Sequence, residues 1–87
     1  MSTRTRTARI HTVEPLEGFV LRLGFDDGTV REIDLEAELW GPMFEPLKDP
    51  EYFAQMVVDK DAGTVVWSNG ADFAPEFLYE AGERIAP

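Results

Sequence analysis

The sequence predicts a small α+β fold built around an antiparallel sheet, and three observations support that prediction. Two pairs of segments rich in alternating apolar and β-branched residues are each joined by a short turn containing glycine, as in β-hairpins. Segments with helix-start signals follow each hairpin. The chain has 87 residues, which is enough for one hydrophobic core and too short for a second domain. We expect three strands, short helices, two strands and a closing helix, with the helices packed on one face of the sheet.

The first three strands are expected within residues 10–35. Residues 10–16 alternate in polarity, and every second residue of 19–25 is large and apolar, which predicts a half-buried strand. The acidic turn at 26–28 ends in a glycine, which can adopt the positive φ of a tight hairpin, and residues 29–35 return as the partner strand. The carboxylates of this turn fit a turn-forming role, because no calcium-loop pattern surrounds them.

Short helical segments are expected at residues 36–55. Residues 36–40 can form one helical turn, and the apolar connector at 41–47 contains prolines that prevent a long helix. Asp49 before Pro50 is an N-cap followed by proline at the first helical position, so a short helix is predicted to begin there.

A second hairpin is expected after this helix. Its arms are residues 56–59 and 64–67, both rich in β-branched side chains, and its turn is 60–63. These hairpin-length connections favour an antiparallel sheet over a parallel one.

The closing helix is expected at residues 71–80. The Asp72 carboxylate can accept amide hydrogen bonds near its start, Pro75 suits its first turn and Gly82 ends it. The side chains expected to face the core are those of Phe73, Phe77 and Leu78.

Charge is distributed unevenly along the chain. Eight Lys and Arg against 17 Asp and Glu give a net charge of -9. Residues 1–13 contain three arginines and no acidic residue, whereas residues 14–87 contain 5 basic and 17 acidic residues, a net charge of -12. We expect a flexible basic arm at 1–8, a single α+β domain at 9–81 and a C-terminal tail at 82–87.

Composition argues against several classes of function. The chain has no cysteine, which excludes disulfides, thiol catalysis and cysteine-ligated zinc. Its apolar runs are too short for a signal peptide or a membrane span, so the expected location is the cytoplasm. The acidic body argues against nucleic acid as a partner, and a solvated terminus is the simpler interpretation of the arm. The arm nevertheless supplies a candidate nucleic-acid contact, formed by Arg4, Arg6 and Arg9.

No pattern in the sequence points to catalysis. His11, Ser68 and Asp72 can be written as a triad, but the strand, sharp turn and helix of a nucleophile elbow are missing around the serine. Clustered carboxylates without a ligand loop are typical of a solvated face, and no glycine-rich phosphate loop is present. We therefore expect no enzymatic activity, no cofactor and no metal.

Residues 67–79 are rich in aromatic and turn-forming types, and two interpretations are open. They are either core and turn residues at a helix entry or an exposed aromatic and polar patch used in binding, since Trp and Tyr are enriched at interfaces but occur more often in cores. The candidate interaction residues are Trp67, Asn69, Asp72, Glu76 and Tyr79.

Three segments carry a resemblance to a known family. They are Leu21-Arg22-Leu23 with Asp27-Gly28, Phe44-Glu45-Pro46-Leu47 with Asp49-Pro50-x-x-Phe53, and Val66-Trp67-x-Asn69-Gly70-Ala71-Asp72 with Pro75-Glu76 and Leu78-Tyr79. From Ile10 to Tyr79 the chain resembles the small bacterial proteins grouped as domain of unknown function 2442, although Ser68 stands where that family usually has proline. The resemblance implies an α+β domain with an antiparallel sheet and no established enzymatic activity, so no catalytic residue is carried over.

The resemblance also suggests a role. Some relatives carry a C-terminal helix-turn-helix, for which no room is expected here, and others stand beside a second small protein in arrangements similar to toxin and antitoxin pairs. We therefore expect a non-enzymatic protein-binding module, the antitoxin-like or regulatory member of a two-protein bacterial system, with a small basic protein as partner. The alternatives are a small-molecule-sensing domain or minimal enzyme with a pocket near residues 41–47, and DNA contact through the arm. A homo-oligomer is compatible with the sequence, and a membrane partner is not expected.

Overall fold

The computed structural model describes residues 8–85 and has the expected α+β architecture. In chain order its elements are β1 (Ile10–Pro15), β2 (Val20–Phe25), β3 (Val30–Asp34), two 3-10 helices (Glu36–Glu38 and Glu45–Lys48), α1 (Pro50–Phe53), β4 (Val57–Asp59), β5 (Thr64–Val66), α2 (Pro75–Ala81) and β6 (Glu83–Ile85). Both predicted hairpins are confirmed, and they belong to different sheets. The order β1-β2-β3-β6 forms a four-stranded antiparallel sheet, and β4 with β5 forms a two-stranded one.

The alternation predicted for β2 is confirmed by its burial. Leu21, Leu23 and Phe25 are buried on one face, while Arg22 is exposed on the other. The register places Arg22 between Glu14 of β1 and Glu32 of β3. Its guanidinium donates two hydrogen bonds to Glu32 Oε2, of 2.8 and 2.9 Å, and this partner raises the pKa of Arg22 above its usual value. The outer face of the sheet is thus polar, and the opposite face covers the core.

The end of the chain differs from the prediction. Residues 83–85, which were expected to belong to a tail, form β6 and pair with β3, with Ile85 opposite Val30. Only one residue, Gly82, separates β6 from α2. Because two of the three residues of β6 are charged, no apolar alternation marks it in the sequence. The domain therefore extends to β6, and the remaining parts of the predicted arm and tail, 1–7 and 86–87, lie outside the described residues.

The helix predicted after Asp49 is confirmed. Asp49 Oδ1 accepts a hydrogen bond of 3.0 Å from the Glu51 amide, and Pro50 occupies the first turn. This short helix places Phe53 in the core, where the backbone carbonyl of Phe53 accepts a 2.9 Å hydrogen bond from the indole Nε1 of Trp67. The second hairpin is thereby joined to α1 through a buried polar contact.

The closing helix is shorter than expected, and the side chains of Asp72 and Phe77 do not take their predicted positions. Helix α2 begins at Pro75, as predicted for the first turn, but no side chain caps it, because its N-cap residue is Ala74. Asp72 lies two residues before the N-cap and forms an antiparallel bridge with Val66.

Leu78 and Phe73 are buried as expected. The prediction that Phe77 faces the core is wrong. Phe77 is 36% exposed, because Leu78 is the residue of α2 that enters the core, and the Phe77 ring stacks on the Phe73 ring with centroids 6.1 Å apart.

The two tryptophans provide a matched test of the core. Replacing Trp67 by Phe removes the indole donor and leaves the buried Phe53 carbonyl without its partner, which we expect to lower the free energy of unfolding by about 1–3 kcal/mol. Trp40→Phe is the control, since 71% of Trp40 is exposed. Urea denaturation followed by circular dichroism measures both, and equal midpoints for the two variants would contradict the assigned role of Trp67.

Candidate interaction groove

An open groove of about 320 Å³ lies between the connector that follows β3 and the segment that enters α2. Two chain segments, 36–47 and 69–81, supply the side chains that line it. The lining residues are Glu38, Trp40, Phe44, Asp72, Phe73, Ala74 and Phe77. Four of these seven side chains are aromatic, so the groove is mainly apolar.

The aromatic rings form a floor and two sides. Phe73 is the floor: it is 9% exposed and also contacts the core, with its centroid 6.0 Å from that of Trp67. Phe44 packs against Phe73 from the connector side at 4.9 Å, and Phe77 packs against it from α2. Trp40 stands at the edge with most of its surface open to solvent. The groove is therefore an outward continuation of the aromatic core.

The position of Trp40 follows from its neighbours on the connector. Leu39 and Leu47 are buried and anchor the connector at both ends. Between them the backbone turns at Gly41, whose φ of +89° is in the left-handed region and whose carbonyl accepts hydrogen bonds from the next turn. With Leu39 directed into the core, the adjacent Trp40 is directed outward.

Asn69 connects the two sides of the groove. Its Nδ2 donates a 3.0 Å hydrogen bond to the Met43 carbonyl on the connector, and its Oδ1 accepts one of 3.0 Å from the Ala71 amide. The turn that carries Asn69 is closed by Gly70, which has a φ of +92° and donates its amide to the Trp67 carbonyl. The Asn-Gly pair singled out in the sequence thus ties the connector to the segment that enters α2.

The groove is rimmed by negative charge. Glu38 is half-buried and Asp72 is exposed, and within residues 8–85 neither carboxylate forms an ion pair or a side-chain hydrogen bond. Segments 36–47 and 69–81 together contain six acidic residues and no Lys or Arg. A cationic group would therefore be attracted to this edge.

The structure separates the five candidate interaction residues. Trp67 is 3% exposed, so of its two possible locations, core or surface, it lies in the core. Its indole is therefore unsuited to contact a partner. Asn69 acts through the backbone of the connector, and Asp72 lines the groove. Glu76 is exposed on α2 but does not line the groove.

Tyr79 faces the four-stranded sheet rather than the groove. Its hydroxyl donates to Asp27 Oδ2 in the turn between β2 and β3, and its ring makes an edge contact with Phe25 at 5.0 Å. The guanidinium of Arg31 lies 3.8 Å from its centroid. Two residues along a helix correspond to a rotation of about 200°, so Tyr79 and Phe77 lie on opposite sides of α2.

The pocket expected near residues 41–47 includes Phe44, but the sequence does not mark Trp40 or Phe77 as groove residues. Trp40 falls in the predicted helical turn, and Phe77 is expected in the core. The sequence does contain a signal for Trp40. It directly follows Leu39, and if Leu39 is buried to anchor the proline-containing connector, its neighbour Trp40 is exposed.

The other predicted sites do not assemble within the described residues. Ser68 Oγ pairs with the Tyr52 hydroxyl at 2.9 Å, and no hydrogen bond links it to His11 or Asp72 in the described chain. Arg9 Nη2 donates to the carbonyls of Lys60 and Asp61 in the turn of the second hairpin. Arg4 and Arg6 precede the described range. Across residues 8–85, no three His, Cys, Asp or Glu side chains are grouped to hold a metal ion, and no helix there has the length and apolarity to cross a membrane.

Comparison with known proteins places the chain in a family. The family model described as "Protein of unknown function (DUF2442)" matches residues 10–84. The chain belongs to this family. The DUF2442 match runs from the first residue of β1 into β6, so the last strand is part of the family domain. Neither the curated proteins nor the solved structures gave a match.

The link through Asn69 can be tested in this DUF2442 domain by hydrogen exchange. Asn69→Asp keeps the oxygen that accepts from Ala71 but places a carboxylate oxygen against the Met43 carbonyl. We expect amides of residues 41–47 to exchange about fivefold faster, as for the loss of roughly 1 kcal/mol of hydrogen bonding. Gln55→Glu adds the same charge at an exposed position and serves as the control. Unchanged exchange at 41–47 would show that Asn69 does not hold the connector.

Proposed function

We propose that the chain is a non-enzymatic protein-binding module of the bacterial cytoplasm, the antitoxin-like or regulatory member of a two-protein system. Its partner is a small basic protein that docks on the groove. The observation that supports this most directly is Trp40, a tryptophan with 71% of its surface exposed at the edge of an aromatic groove.

Exposed aromatic surface supports binding because covering it releases water from a large apolar area. A single Trp side chain can remove about 150–250 Å² from water, and Trp is enriched among the residues that dominate interface energies. Phe77 adds a second, partly exposed ring, which comes from the other segment that builds the groove. A partner that covers both rings gains more binding free energy than a partner that contacts a single isolated surface residue.

Charge supports the choice of a basic partner. The two segments that build the groove contain six acidic residues and no Lys or Arg, and the chain as a whole carries -9. Complementary charge accelerates encounter and disfavours acidic competitors. The same charge disfavours nucleic acid, whose phosphates would be repelled by the rim.

A second candidate function is a small-molecule-sensing domain or minimal enzyme, and one observation favours it. Phe44, from the 41–47 connector named as a pocket position, lines the groove. A volume of about 320 Å³ lies at the lower end of the roughly 300–1,000 Å³ typical of small-ligand sites.

A thermal-shift screen separates these two candidates. A small molecule present at 100 times its Kd would stabilise the domain by about 2.7 kcal/mol, which raises Tm clearly in a chain of this size. For a protein-binding module we expect no such shift across a metabolite library. A reproducible shift that Phe44→Ala abolishes would support the small-molecule candidate instead.

Capture from the native lysate tests the protein-binding function with matched variants. We expect tagged wild-type protein to retain one small basic protein at stoichiometric level and Trp40→Ala to retain at least about tenfold less, the loss typical of an interface hot spot. Val57→Ala is the control, because Val57 is also exposed, at 57%, but lies outside the groove. Absence of a stoichiometric partner at every salt concentration would reject the function.

A further inference from the structure

The groove combines one apolar cavity with two carboxylates, and this combination defines the chemistry of what it can hold. Resting on the proposed function, we infer that the groove receives a short segment of the partner that carries a large apolar anchor residue next to a Lys or Arg. The anchor enters between Trp40 and Phe77, and the cation pairs with Glu38 or Asp72.

The size and composition of the groove set the nature of the anchor. A volume of about 320 Å³ accommodates about one or two apolar side chains and falls well short of a large cofactor. The floor, Phe73, is fixed from below by the Trp67 ring and from the side by Phe44. A rigid aromatic floor favours a Leu, Ile, Phe or Trp side chain, which makes close contacts without ordering the site further.

The two carboxylates set the charge of the flanking residue. Glu38 and Asp72 both line the groove, and each comes from a different one of its two segments. Neither is used in an ion pair within the described part of the chain. An approaching anchor would partly exclude water from them, and burying an unpaired carboxylate is unfavourable. A neighbouring Lys or Arg on the occupant removes that cost, whereas a neutral or acidic occupant does not.

A second copy of this chain does not fit the same description. Its exposed aromatic residues, Trp40 and Phe77, lie in segments that contain only acidic charges. Docking one groove against another would bring the carboxylates of two chains of charge -9 together, and like charges across an interface are unfavourable. The chain's own arginines near the N-terminus do not supply the anchor either. Arg4 and Arg6 have only threonine neighbours. The large apolar neighbour of Arg9, Ile10, is buried. The occupant is therefore a basic segment of a different protein.

Selection from a displayed library of random twelve-residue peptides on the immobilised full chain tests this inference. We expect the enriched peptides to share a large apolar residue adjacent to Lys or Arg. The affinity of a selected peptide, measured by fluorescence anisotropy, should fall at least about tenfold in Trp40→Ala and in Phe77→Ala. Val57→Ala should bind as wild type does, and near-ultraviolet circular dichroism from the buried Trp67 verifies folding of every variant.

Charge-neutralising variants test the second half of the inference. Glu38→Gln and Asp72→Asn should each weaken peptide binding about two- to fivefold at low salt, with a smaller loss at high salt. Glu51→Gln removes an exposed carboxylate outside the groove and should leave the affinity unchanged.

Several results would overturn the inference. These are a library without enrichment, enriched peptides lacking either the anchor or the cation, peptides insensitive to the groove variants, and a wild-type dimer in light scattering that Trp40→Ala dissociates. A partner captured from lysate equally by wild type and Trp40→Ala would end this inference and the groove as the docking site, while leaving the protein-binding function itself standing. Absence of any captured partner would instead reject the function itself.

Discussion

The hydrogen bond from the Trp67 indole to the Phe53 carbonyl joins the end of the second hairpin to helix α1. Among residues 8–85, no strand pairing in either sheet connects these two elements. Trp67 comes from the second hairpin, and Phe53 comes from a helix of one turn. Rings extend this contact in both directions: Phe19 meets Phe53 at 5.1 Å, and Phe73 meets Trp67 at 6.0 Å. A continuous series of aromatic contacts therefore runs from the four-stranded sheet to the floor of the groove.

This continuity gives the groove its shape before anything binds there. A chain of 87 residues buries a smaller fraction of its surface on folding than a larger domain does, so fewer core contacts are available to order its loops. Here the groove floor is shared with the core, so the aromatic sides are ordered by the same packing that stabilises the fold. We expect the negative charge at the rim to have a second effect, which is to disfavour association of two copies through the exposed Trp40 ring.

Sequence reasoning succeeded where the interactions are local. The hairpin turns, the Asp49 cap and the alternation in β2 depend on residues a few positions apart, and all three are confirmed. It failed where distant segments decide the outcome. Strand β6 is short and charged, and it exists because β3 offers it a free edge. For the candidate site, Asn69 and Asp72 are among the candidate interaction residues that the sequence supplies. Trp40 and Phe77 are not, because exposure of an aromatic ring depends on which side of its segment the core occupies.

Gly82 illustrates a constraint of a different kind. Its φ of -73° is accessible to every amino acid, so backbone conformation gives no reason for a glycine at this position. A Cβ there would lie 2.7 Å from the carbonyl oxygen of Leu78 and 3.2 Å from the Cβ of Arg31. The first of these atoms belongs to the helix backbone and the second to β3. The single residue between α2 and β6 thus has no room for a side chain. Helix α2 and strand β3 approach each other closely there because the glycine lacks one methyl group.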